Sequence, residues 1–165
     1  QLGAAGSEQK MPPFLKTAPS TKTMPEAGLV CHLLAAQGQL AHVKQAVKAG
    51  FSINGQTMPD MWTPLHVATS LQRWDVVKIL LKKGADPNLL SFQMISPLHM
   101  LVHVVDDEAQ LKRAVPTLKL FLDKGIDIDI RNIAGHTPLT VAASAGKTHW
   151  VATLMKLTAS WNVLD

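Results

Sequence analysis

The sequence predicts an all-α solenoid of four helix-turn-helix units stacked side by side, with hairpin tips along one edge. Three observations predict it. A short signature recurs as Thr63-Pro64-Leu65-His66, Ser96-Pro97-Leu98-His99 and Thr137-Pro138-Leu139-Thr140, at intervals of 33 and then 41 residues. Each copy leads into an apolar pattern of helical period and, in the second and third units, on to a glycine turn, Gly84-Ala85-Asp86-Pro87-Asn88 or Gly125-Ile126-Asp127-Ile128-Asp129. The composition, 47% apolar and 17% charged over 165 residues, is that of a chain that buries a core.

Taken in order, residues 1–28 differ from the rest. Small residues fill positions 3–7, Pro12, Pro13, Pro19 and Pro25 follow, and neither a helical nor a strand period survives, so a flexible arm is expected. The first unit, about 29–62, is degenerate: His32 occupies the slot of His66 and His99, with Ala35, Gly38 and Asn54 in register. The second unit is 63–95. In the third, 96–136, the glycine turn follows the signature after 29 residues instead of 21, so an eight-residue insertion is expected between its two helices. The fourth, 137–165, ends in a worn turn, Thr158-Ala159-Ser160-Trp161-Asn162.

Local chemistry supports each unit. Pro64, Pro97 and Pro138 suit the first helical turn, where an amide has no partner to lose. Thr63, Ser96 and Thr137 before them are N-cap types. Leu65, Ala68, Val76, Val77, Leu80 and Leu81 form a stripe for burial against a neighbouring unit, and Gly84 and Gly125 suit a left-handed helix end. Asn54, Asn88 and Asn162 recur at one turn position, where asparagine can bond its own hairpin backbone. Trp150 is expected in the core, Trp161 at the exposed end of the stack, and Trp74 at the start of a second helix.

This pattern resembles the ankyrin repeat, over residues 29–165. The resemblance implies recognition of another protein rather than catalysis, through the hairpin tips and the inner face of the first helices. The tips carry Met58, Met61 and Trp62, then Phe92, Met94 and Ile95, then Ile133 and His136. Turn tips are ordinarily polar, and Trp and Met are enriched at binding hot spots. The matching inner-face positions include Leu71, His103 and Val104, and Asp106, Asp107 and Glu108 in the insertion form a candidate negative tip.

Other chemistries are excluded or set aside. The longest apolar runs are broken by lysine well short of a membrane span. Cys31 is the single cysteine, so neither an internal disulfide nor a cysteine zinc site can form. Gly146-Lys147-Thr148 imitates the end of a phosphate loop, but Val141 stands where its first glycine would be, so it reads as an inter-helix turn. His99, His103 and Asp106 or Asp107 share metal-ligand spacing, yet His99 fills the repeat's histidine slot, which leaves a structural His99 and a surface His103. No catalytic motif, cofactor, metal or small-molecule substrate is expected.

Lys44, Lys78 and Lys119, with Lys48, Lys82 and Lys156, mark the outer face of the second helices. The formal charge is +4 and the lysines lack interleaved aromatics, so nucleic-acid binding is only a third reading. The first reading is a monomeric, stoichiometric binder that caps a partner enzyme, as some exported bacterial ankyrin proteins act as immunity partners of secreted hydrolases. The second is an intracellular adaptor that tethers without inhibiting. A start on Gln1 fits either a removed signal peptide or a shortened chain and, with the positive charge and lone cysteine, is compatible with export to the periplasm.

Overall fold

The computed structural model describes residues 25–161, with side chains from 29 to 157. Among these the chain forms eight helices and no strand: α1 (Pro25–Gln37), α2 (Leu40–Lys48), α3 (Pro64–Ser70), α4 (Trp74–Lys82), α5 (Pro97–Val104), α6 (Glu108–Asp123), α7 (Pro138–Ser144) and α8 (Thr148–Trp161). The odd-numbered helices pack in sequence as one layer and the even-numbered helices as a second, giving four stacked pairs. Between the layers lies one core, in which Leu34, Leu65, Leu80, Leu81, Leu98, Leu101, Leu118, Phe121, Trp150 and Leu154 are essentially fully buried. A single pair could not hide this surface; stacking does.

The helix starts obey their caps. Thr63 and Ser96 accept from the backbone N–H of His66 and His99, while Nδ1 of each histidine accepts from the N–H of the cap residue. Thr137 caps α7 through its hydroxyl alone, because Thr140 replaces the histidine. Gly50, Gly84 and Gly125 turn the chain out of the second helices at φ of 90°, 95° and 75°, where any side chain would be strained.

Three expectations change. Pro25–Gly28 belong to α1 rather than to an arm, since Pro25 can open a helix just as Pro64 does; the arm proper, residues 1–24, lies outside the described residues. The insertion is not a loop. Residues 105–107 link α5 to α6 just as 71–73 link α3 to α4, and the added length goes into α6, which has 16 residues against 9 in α4. Asp107 caps this extension and Leu111 and Ala114 bury its inner side. Pro116 stands in register with Asp75, in the first turn of an ordinary second helix, and its missing amide leaves the Lys112 carbonyl without an i+4 donor.

The third change concerns the asparagines. Asn54 Oδ1 accepts from the N–H of Asp86 at 2.9 Å; Asn88 Oδ1 accepts from the N–H of Asp127 at 2.8 Å while its Nδ2 donates to the Gly125 carbonyl at 2.9 Å. Each therefore ties its turn to the next unit instead of closing its own hairpin. The aspartates supply the local closure: Asp86 Oδ1 accepts from Asn88 N–H, and Asp127 Oδ1 from Asp129 N–H. Asn162 and the Trp161 side chain lie outside the described residues.

Candidate partner-binding site

The tips are built by a hydrogen-bond pattern that repeats three times. Thr57, Ser91 and Asn132 N–H groups donate across the hairpins to the carbonyls of Trp62, Ile95 and His136, at 2.9, 3.0 and 2.9 Å. Each of those carbonyls also accepts from the histidine at the start of the same unit: His32, His66 and His99 place Nε2 2.7, 2.9 and 2.9 Å away. In His66 and His99, Nδ1 accepts from the cap and Nε2 donates to the tip, which requires the neutral ring. Burial holds His66 down at about 4, only partly offset by its bond to the Ile95 carbonyl, and it also lowers His99.

Neighbouring tips are joined through their backbones. Phe92 N–H donates to the Asp60 carbonyl at 2.9 Å and Ile133 N–H to the Gln93 carbonyl at 3.0 Å. Gln56 Nε2 bridges the carbonyls of Met61 and Leu90. The three tips thus form a continuous edge. On it Met58, Phe92 and Ile133 are 83%, 69% and 70% exposed, and Met94 and His136 are exposed beside them. Met61 and Met94 take φ of 55° and 56°, at the position where the third tip has Gly135 at 79°. A left-handed methionine costs on the order of 1–2 kcal/mol that glycine would not.

Behind the edge, between tips and first helices, runs a groove of about 420 Å³. Trp62, Ile95, Met100, Val104 and Val141 make it mainly apolar, and Ser70, His99, His103 and Asn132 add polar groups. The fold thus gathers Trp62, Ile95, His103 and Val104 from the sequence candidates. Met61 is half-buried, and Leu71, exposed at the end of α3, stays outside the groove lining. Met100 and Val141 escaped the sequence reading. They follow the histidine slot directly, in register with Leu33 and Val67, so applying the repeat one position past the histidines would have found them.

The family model described as "Ankyrin repeats (3 copies)" matches residues 16–91. Over those residues the chain carries ankyrin repeats. Its similarity extends to human transient receptor potential cation channel subfamily A member 1, 29% identical over 127 residues, which is 76% of this chain and 11% of the channel subunit. It extends also to an ankyrin repeat protein of Rickettsia felis, 29% identical over 111 residues, 66% of this chain and 48% of that protein. BRCA1-associated RING domain protein 1 of Caenorhabditis elegans is 33% identical over 109 residues, 66% of this chain and 14% of that protein. The chain spans less than half the length of each. Ankyrin repeats make this region a protein–protein interaction module, of a family that is generally non-enzymatic.

The acidic candidates of the third unit are exposed, and each has a partner within the chain. Asp107 accepts from the Gln110 N–H at 2.7 Å as the N-cap of α6, and Glu108 pairs with Lys112 at 3.1 Å. Asp106 pairs with Lys147 at 2.6 Å. The bond from Lys147 and its charge hold the Asp106 carboxyl below the usual range, and Lys112 does the same for Glu108.

Lys147 was also missed. Its Nζ donates to the carbonyls of Val102, His103 and Val105 at 2.9, 2.5 and 3.3 Å, closing the C-terminus of α5, and Trp150 Nε1 donates to Val105 at 3.1 Å. The residue read as an imitation of a phosphate loop is a clamp between ankyrin units three and four.

Both ring nitrogens of His99 are engaged, and among the described residues no three His, Cys, Asp or Glu side chains are gathered for a metal. Cys31 is fully buried, and burial pushes its thiol up to about 11, away from nucleophilic use. Lys44, Lys48, Lys82, Lys119 and Lys156 are exposed, and Lys78 pairs with Asp75 at 3.4 Å. Among the described residues no helix is long and apolar enough to cross a membrane.

Proposed function

We propose that this chain binds another protein one-to-one through its tip edge and groove, and that binding caps the working face of a partner enzyme. One observation carries the reading: exposed Met58, Phe92 and Ile133 are aligned on an edge fixed by backbone bonds between tips. A rigid edge loses little entropy when it docks, and large apolar side chains over a groove are the anatomy of a hot-spot cluster. The left-handed Met61 and Met94 favour the same reading, because strain of that kind persists where a side chain is needed for recognition.

The test begins by installing a photoreactive group at Phe92, identifying the protein it captures by mass spectrometry, and purifying that protein. If the partner is an enzyme, titrating the chain into it should abolish turnover at an equimolar ratio. Binding that leaves turnover intact would replace the inhibitor reading with that of a tethering adaptor. Binding that falls steeply with salt and needs nucleic acid would refute both.

A further inference from the structure

Four of the seven methionines lie on the first two tips or in the groove behind them: Met58, Met61, Met94 and Met100. The third tip carries no sulfur; Ile133 and Gly135 stand where the first has Met58 and Met61. Met58 is 83% exposed and Met94 44%, against 8% for Met100, while Met61 is half-buried. The left-handed turn gains nothing from sulfur, since Gly135 makes it in the third tip. What sulfur adds is a side chain that is apolar and adaptable when reduced and polar when oxidised.

No thiol competes for an oxidant at this surface. Cys31, the single cysteine, is fully buried. A peroxide that reaches the tips therefore meets exposed thioethers, which react without first losing a proton.

From this distribution we propose that Met58 and Met94 are oxidation sites at which hydrogen peroxide sets the strength of partner binding. The thioether sulfur attacks one peroxide oxygen. The S–O bond forms as the O–O bond breaks, the proton passes to the departing oxygen, and water leaves. Sulfur loses two electrons and the peroxide gains them. A dithiol reductant reverses the step, releasing the oxygen as water and ending as a disulfide. The sulfoxide places a strong dipole on the edge, where a docked partner would bury it at a cost. The edge itself stays in place, because the bonds from Phe92 N–H to the Asp60 carbonyl and from Ile133 N–H to the Gln93 carbonyl are backbone bonds. Phe92 and Ile133 are inert to the step, so oxidation grades the apolar edge instead of erasing it. The inference rests on the tip edge being the recognition surface and adds control by oxidant.

The test begins with the full chain alone. Treated with hydrogen peroxide, digested and read by mass spectrometry, it should gain sulfoxide at Met58 and Met94 well before Met100, with unchanged circular dichroism. The partner captured at Phe92 is then titrated with reduced and oxidised chain. Oxidation should weaken binding at least about tenfold, and a methionine sulfoxide reductase supplied with dithiol should restore it. Peroxide should change the affinity of Met58→Leu/Met94→Leu by less than about twofold from that variant's own untreated value, which separates these two sites from Met61, Met100 and exposed Met155 on α8. Oxidation of Met100 as fast as Met58 and Met94, unchanged affinity after oxidation, or a double variant as peroxide-sensitive as the parent would each overturn the inference. Affinity that resists oxidation but falls in Phe92→Ala removes this inference alone; affinity that resists both removes the tip-edge reading with it.

Discussion

Replacing Lys147 by methionine should uncouple the fourth ankyrin unit from the third. The Lys147 side chain is only 13% exposed, and its ammonium holds the carbonyls of Val102, His103 and Val105. Methionine keeps the stem and removes the donors. A hydrogen bond from a charged donor contributes about 1.5–3 kcal/mol, and a cation at a helix C-terminus about 0.3–1 kcal/mol. The three bonds share one ammonium, and the outermost carbonyl can turn to water, so the loss should be about 2–3 kcal/mol rather than their sum. For a chain of this size that corresponds to about 4–12 °C in Tm. Urea denaturation measures it, and hydrogen exchange locates it: α7 and α8 amides should lose protection first, because they pack on the third unit through α5 and α6. A loss under about 0.5 kcal/mol, the ordinary range for an exposed lysine, would refute the clamp.

Further outcomes follow from the same geometry. Leu80→Ala, at a fully buried site, should cost about 2–5 kcal/mol in chemical denaturation, whereas exposed Lys82→Ala should stay within about 0.5 kcal/mol; equal costs would contradict the helix register. Asn88→Ala removes two bonds to the third unit and should cost about 1–2 kcal/mol, with a neutral result contradicting the inter-unit role. Acid should weaken the fold through His66. Its folded value is depressed below the ordinary 6.5 to about 4, so its contribution is complete above about pH 6.5 and is withdrawn as pH falls toward 4. At about 1.4 kcal/mol per pH unit this amounts to about 3 kcal/mol, and His66→Gln should flatten that part of the stability–pH curve. An unchanged curve would show that the ring is not held neutral.

The repeat was legible because its signals are local: a cap residue, a proline and a histidine recur at fixed spacing, and each acts within one helical turn. The histidine slot was legible for the same reason, whereas the bonds from Nε2 to the tip carbonyls span 30, 29 and 37 positions. What escaped depended on relations between units. Asn88 bonds across to Gly125 and Asp127, some forty positions away, and no local rule separates that from closing its own turn. The insertion's length was correct, but its placement inside α6 depended on Asp107 finding Gln110 and on Leu111 finding the core. Lys147 reads as a generic turn residue until α5 ends in front of it. The tip residues were visible as misplaced apolar side chains, whereas Met100 and Val141 were hidden because an apolar residue inside a helix reads as core.

The most direct test of binding through the tip edge is the affinity of the purified partner for the parent chain and for Phe92→Ala, by isothermal titration, with helicity checked by circular dichroism. Phe92 is 69% exposed and bonds its neighbour through the backbone amide, which alanine retains, so the fold should be unaffected. A hot-spot role for Phe92 predicts a loss of at least about 2 kcal/mol in binding, about thirtyfold in Kd. Unchanged affinity in Phe92→Ala and in Met58→Ala would show that the tip edge is not the binding site.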